Sequence, residues 1–188
     1  MGGFPLALLA CTAAAWIGSA GTALSQPPAI QAAADATQHH EIPVTIQREH
    51  DEAFRRLALL ARREGPLGVA ARHAQVVLKR HVAREVEYIL PPLTLLPDLA
   101  NGKVTPDMAW AMAMSDRVRA DRAAISRDRA DTVHAYNAIV AIAMSLHDRE
   151  AAHFADDASA NLLVDLELEE PTVLLIGEYL HSKLDANH

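Results

Sequence analysis

His81 and Glu85 stand four residues apart in the stretch HVAREVEYILPP. Side chains at that interval lie one above the other on a single helix face. An imidazole and a carboxylate can thus be presented to one point. His50 lies in an earlier segment, on the apolar stripe formed by Ile46, Ala53, Phe54, Leu57, Leu60 and Ala61. Two imidazoles and a carboxylate turned inward have two chemical uses. They are the donor types of mononuclear non-haem Fe(II) sites, or they form a hydrogen-bonded polar cluster in a metal-free core. A carboxylate facing a helical core is costly unless it is paired or bound to a cation.

The elements that must position these groups are helices. The apolar spacing predicts a first helix over Pro43 to Arg63, closed by Gly65-Pro66. A second runs from about Leu67 to Leu90, with Ala70, Ala74, Val77, Leu78, Tyr88 and Ile89 on the face that carries His81 and Glu85, and Pro91-Pro92 ends it. Leu93 to Val104 is long enough to cross an end of the molecule. Thr105-Pro106-Asp107 then reads as an N-cap, a first-turn proline and a first-turn acid. The helix that starts there extends to about Leu146. Its charged stretch DRVRADRAAISRDRAD, Asp116 to Asp131, is expected to be a solvated face laced with Asp/Arg pairs and is the place where the helix could break.

A last helix spans roughly Ala151 to Lys183. Phe154, Ala158, Leu162, Leu175, Ile176 and Tyr179 are expected on its buried side, together with Asn161, Asp165 and Glu169. Nowhere does apolar/polar alternation of the β type occur. The chain therefore reads as all-α, most simply an up-down-up-down four-helix bundle over residues 42–184 with a tail at 185–188.

Composition agrees with one helical domain, since 51% of the 188 residues are hydrophobic and only 4% aromatic, leaving Ala and Leu to fill the core. A net charge of -7 without any basic block argues against nucleic acid as a partner. Leu6 to Leu24 is an apolar and small-residue run ending in Ala23-Leu24-Ser25, which predicts a signal peptide over residues 1–25, cleavage before Gln26 and export, most simply to a periplasm. Leu8-Leu9-Ala10-Cys11 is the alternative, a lipobox whose cysteine would anchor the protein. After cleavage no thiol and no membrane span remain, so a metal would be held by His, Asp, Glu or Tyr. Residues 26–41 read as a flexible leader in which His39-His40-Glu41 is solvated. His73, His147, His153, His181 and His188 are expected at the surface or at helix ends.

The segment Ile42 to Gly102 resembles the first half of a bacterial hemerythrin-like (HHE cation-binding) domain. It carries Glu49-His50, then His81-xxx-Glu85-x-Glu87-Tyr88-x-Leu90-Pro91-Pro92, then Leu95-Leu96-Pro97-x-Leu99-Ala100-x-Gly102. Glu169-Glu170-Pro171 and Ile176-Gly177-Glu178-Tyr179-Leu180 are similar to that family's last helix. The resemblance implies two related helical hairpins, each giving one His from its first helix and a His-xxx-Glu from its second, around non-haem iron, one or two ions. His50, His81 and Glu85 fit the first hairpin, although Phe54 stands where the family often has a further His. In the second hairpin, Pro171 lies 10 residues after Asn161 as Pro91 lies 10 after His81. Asn161 and Asp165 then occupy the His and Glu positions, and Tyr136 the first-helix His. A rival register uses the interval of 31 residues that separates His50 from His81 and also His134 from Asp165, giving His134, Asp165 and Glu169. Residues two apart on a helix are about 200° apart, so His134 and Tyr136 cannot both face the core.

The resemblance implies an exported iron-binding protein that binds or senses O2 or another small diatomic ligand. The alternative is a degenerate, metal-free bundle with a structural or partner-binding role. An oxidase-like activity using Tyr136 is a third expectation. No Ser/His/Asp arrangement, Gly-rich phosphate loop or CxxCH haem attachment signature points to another catalytic class.

Overall fold

The computed structural model describes residues 40–185, without the side chains of residues 164–166. The expected signal peptide, Cys11 and residues 26–39 of the leader lie outside the described residues, as does His188. The described chain is all-α, with no strand. Its helices are α1 (Val44–Ala61), α2 (Pro66–Arg84), the short α3 (Leu96–Ala100), α4 (Trp110–Ser145) and α5 (Arg149–Leu184). No described helix is long and apolar enough to cross a membrane.

Local chemistry sets the breaks. Gly65 adopts φ +80°, the left-handed region that favours glycine, and Pro66 takes the first position of α2, where its missing N–H removes no helical bond. α2 does not stop at a simple cap. It widens into a π turn over Glu85–Ile89, in which the Leu90 N–H donates to the Glu85 carbonyl at 2.8 Å. This turn keeps Glu85, Tyr88 and Ile89 all buried, and the donorless Pro91 and Pro92 then lead into a 3-10 turn over Pro91–Leu95. His147, at φ +57°, turns the chain between α4 and α5, and the Asp148 carboxylate accepts the Ala151 N–H at 3.1 Å to cap α5.

Several expectations are corrected. Thr105 makes no side-chain cap, because Pro106–Met108 forms a separate 3-10 turn and α4 begins at Trp110. α4 runs unbroken through Asp116 to Asp131, since Val118, Ile125, Asp128 and Arg129 give that stretch an inner face. Most of its charges do form an exposed face with Asp/Arg pairs, as Arg119 with Asp116, but Asp128 and Arg129 are buried, and Arg80 and Arg84 of α2 reach Asp128 at 2.7 and 2.9 Å and staple α2 to α4. On α5, Leu175 is 64% exposed and Tyr179 is also exposed, while Val173, Ile176 and Leu180 are buried. Neighbouring helix positions differ by about 100°, so burying Ile176 turns Leu175 away.

Short connections and shared apolar faces set the packing. α1 packs on α2, α2 on α4 and α4 on α5. Gly177 permits the last approach, because a Cβ there would stand 2.1 Å from Ser115 Oγ. The core has two apolar clusters. One holds Leu57, Leu78, Tyr136, Ile139 and Phe154, and the other holds Tyr88, Val118, Ile125, Val173 and Leu180. Three of the long segments contribute buried polar residues that form a polar layer: His81 and Glu85 at the C-terminal end of α2 and its π turn, Asp128, Arg129 and Thr132 from α4, and Glu170 from α5.

Candidate metal centre

Glu85 opens the π turn and points its carboxylate into this polar layer, where only 3% of its side chain is exposed. One turn earlier, His81 places Nε2 2.9 Å from Glu85 Oε1, as the four-residue spacing requires. His50, projected from α1, places its Nε2 3.2 Å from the other oxygen, Oε2. Two helices thus bring two imidazoles onto one carboxylate. Both separations are hydrogen-bonding distances between an imidazole nitrogen and a carboxylate oxygen, with the proton's position set by the ring tautomer.

Burial pushes the Glu85 pKa up, but the nearby His50 and His81 outweigh it and bring it from 4.5 down to about 2. The anion is therefore the form at neutral pH. An imidazole nitrogen and a carboxylate oxygen are both donors to a cation. The 2.9 Å from His81 Nε2 to Glu85 Oε1 and the 3.2 Å from His50 Nε2 to Glu85 Oε2 are close to the edge between adjacent donors at bonds of about 2.1 Å. Among the described residues, however, no three His, Cys, Asp or Glu side chains are grouped so that they could hold a metal ion as they stand. Glu85 is in contact with both imidazoles.

A cleft of ≈ 80 Å³ adjoins the three groups and is lined from all four long helices. Tyr136 is 1% exposed in its wall, whereas His134 is in solvent. The two registers therefore part here, Tyr136 facing the trio and His134 not. Burial raises the Tyr136 pKa beyond the phenol's ordinary range, so the side chain is neutral at physiological pH. Its ring meets Phe154 edge-on at 6.0 Å. Asn161 and Glu169 also line the cleft, Asn161 exposed at its rim and Glu169 half-buried; the side chain of Asp165 lies outside the described residues. The expectation that Asn161 shares the buried side is thus corrected. From α4 and α5 the cleft thus receives a neutral phenol, an amide and the Glu169 carboxylate.

No protein-family model, curated protein or solved structure matches this chain. Assignment of the centre rests on its geometry.

The buried carboxylate of α5 is Glu170, a residue not singled out from the sequence. Its Oε1 lies 2.5 Å from Arg129 Nη2, and the two side chains are 5% and 7% exposed. A signal for Arg129 was present: Ile125, Arg129, Thr132 and Tyr136 follow one another at intervals of four, three and four, one helical face. Of the other histidines, His73, His147 and His153 are exposed and His181 is half-buried. His40, expected to be solvated in the leader, instead stacks on Trp110 at 3.8 Å between ring centroids.

Proposed function

We propose that this chain is a hemerythrin-like cation-binding protein, an up-down-up-down four-helix bundle in which His50, His81 and Glu85 hold a non-haem iron ion. The observation that carries the reading is the meeting of two imidazole nitrogens on the two oxygens of one buried carboxylate. Nitrogen and oxygen donors of this kind suit Fe(II). Iron held there would supply affinity for O2 or a related small molecule. The chain's own residues do the rest: Glu85 offsets part of the cation's charge, Leu78, Leu162 and the Tyr136 ring give the cleft an apolar wall, and the cleft leaves room for a small ligand. A second ion would depend on Tyr136, Asn161 and Asp165, a weaker donor set.

The alternative of a metal-free bundle has one specific observation in its favour, that no three His, Cys, Asp or Glu among the described residues are grouped so that they could hold a metal ion as they stand. In that reading the imidazoles serve only to neutralise Glu85. Elemental analysis of untagged protein after anaerobic Fe(II) loading separates the two. One iron per chain is the expected result, two would mean that the second hairpin also ligates, and none would leave the metal-free bundle. The proposal includes export with cleavage before Gln26, supported by the apolar run Leu6 to Leu24. Intact-mass measurement of the exported protein checks it, and a chain retaining Met1 or an acylated Cys11 would contradict it.

A further inference from the structure

A pocket of ≈ 360 Å³ lies where the start of α4 meets the π turn and the end of α5, and none of His50, His81 and Glu85 lines it. Sites for small molecules begin at about 300 Å³, and an apolar cavity of about 150 Å³ already takes up a benzene ring. Its walls are apolar and soft. Three of the chain's five methionines fall within Met108 to Met114, and two of them, Met112 and Met114, line the pocket together with Trp110, one of only two tryptophans. Thioethers are polarizable, adapt their shape and make favourable contacts with aromatic rings.

The flat groups of the pocket are held by partners of their own. His40 stacks on Trp110 at 3.8 Å between ring centroids. Tyr88, also in the lining, donates to Asp121 at 2.9 Å, and the Arg117 guanidinium lies over its ring at 4.1 Å while pairing with Glu87 at 2.6 Å. A guanidinium held in this way is planar and weakly hydrated, a further surface on which a ring can stack. Walls fixed beforehand lower the ordering cost of binding. The charges at the rim cancel: Glu87 is matched by Arg117, and Asp116 by Arg119 and His181. A charged ligand would have to break one of these pairs or lose its water without a partner. A neutral one does neither.

We propose that this pocket binds a neutral, planar compound of one or two fused rings, with Trp110, Met112 and Met114 as its main contacts. The probe is 2-naphthol, a fused-ring compound uncharged at pH 7, and its comparison is 2-naphthoate, which has the same rings and a carboxylate. Isothermal titration of the full-length chain with 2-naphthol should give a single site with a Kd on the order of 0.1 mM. 2-Naphthoate should bind at least about tenfold more weakly. Ala113 is an exposed residue of the lining, so Ala113→Phe puts a ring into the pocket from a position that tolerates it and should abolish the site. Ala141→Phe places the same ring on exposed surface near the other end of α4 and should bind as the wild type does. Met112→Ala removes a wall instead of filling the space, and a several-fold weaker affinity is expected there whether or not Ala113→Phe folds. A wild type that does not bind 2-naphthol, equal affinity for 2-naphthoate, or wild-type affinity in Met112→Ala or in a folded Ala113→Phe would overturn the proposal.

Discussion

Glu85 and Glu170 are both buried carboxylates in the same polar layer, 3% and 4% exposed, yet they are neutralised by different chemistry. Glu170 meets a guanidinium that is always charged, across α4 and α5. Glu85 meets two imidazoles from α1 and α2, whose protonation can change. A permanent cation fixes a carboxylate as structure. Imidazoles leave open the exchange of their protons for another cation, because the same nitrogen lone pair takes either. Between α4 and α5 the buried charge is balanced within the Arg129–Glu170 pair itself.

The largest expected effect breaks that pair. Arg129→Met leaves Glu170 buried without its counter-ion and is expected to destabilise the protein by about 3–5 kcal/mol in urea unfolding. Arg129→Met/Glu170→Met should recover most of that loss, since replacing both members of a buried pair by apolar residues is often neutral. Equal stability of wild type and Arg129→Met would mean that Glu170 is not held by Arg129 in solution.

The Glu85 cluster should fail in binding instead. His81→Ala and Glu85→Gln are each expected to weaken Co(II) or Fe(II) binding by at least about 100-fold, beyond the range for loss of an outer partner of a metal ligand. Arg129→Met/Glu170→Met should bind as the wild type does. Metal titrations on the three variants decide it, and unchanged binding in His81→Ala would refute the ligand assignment.

Acid should also separate the two carboxylates. The Glu85 pKa is lowered from 4.5 to about 2 on folding, so its anion contributes stability that is complete above pH 4.5 and is lost as pH falls through about 2. That difference is worth at most about 3 kcal/mol. Apo wild type and Glu85→Gln should therefore converge in stability between pH 4.5 and 2; parallel curves over that window would show that the histidines do not depress Glu85.

The all-α class and the punctuation at Gly65-Pro66 and Pro91-Pro92 were legible because period, glycine and proline act locally. The meeting of His50 with His81 and Glu85 was legible in part, since each sits on an apolar stripe and only the packing of α1 on α2 had to be assumed. Other features depend on partners distant in the chain. Asp128 and Arg129 look like surface charges until Arg84 and Glu170 are placed against them. Pro171 lies inside α5 and did not end it, and the phase of that helix, which exposes Leu175 and Asn161, is set by which residues α4 covers. The π turn at Glu85 has no local sequence marker beyond the prolines that follow it.

The smallest effect concerns the same chemistry placed in water. His181 puts Nδ1 3.0 Å from Asp185 and Nε2 3.4 Å from Asp116, one imidazole between two carboxylates where the core has one carboxylate between two imidazoles. Here the hydrogen bond to Asp185 raises the His181 pKa above its ordinary 6.5, and Asp116 adds to it. A raised pKa means that the imidazolium stabilises the fold fully below pH 6.5 and that the contribution disappears as pH rises through the folded value. With the side chain 39% exposed, solvent and salt screen the pairs, and the gain should stay below about 1 kcal/mol. His181→Gln is therefore expected to reduce stability slightly at pH 6 and not at pH 9, with the pH 6 difference shrinking further in 0.5–1 M salt (roughly, as the Debye length falls towards 3 Å). NMR titration of the His181 ring in the metal-free protein gives the direct reading. A midpoint at or below 6.5 would show that exposure cancels the two carboxylates, and would make burial, rather than the pairing of residue types, the feature that distinguishes Glu85.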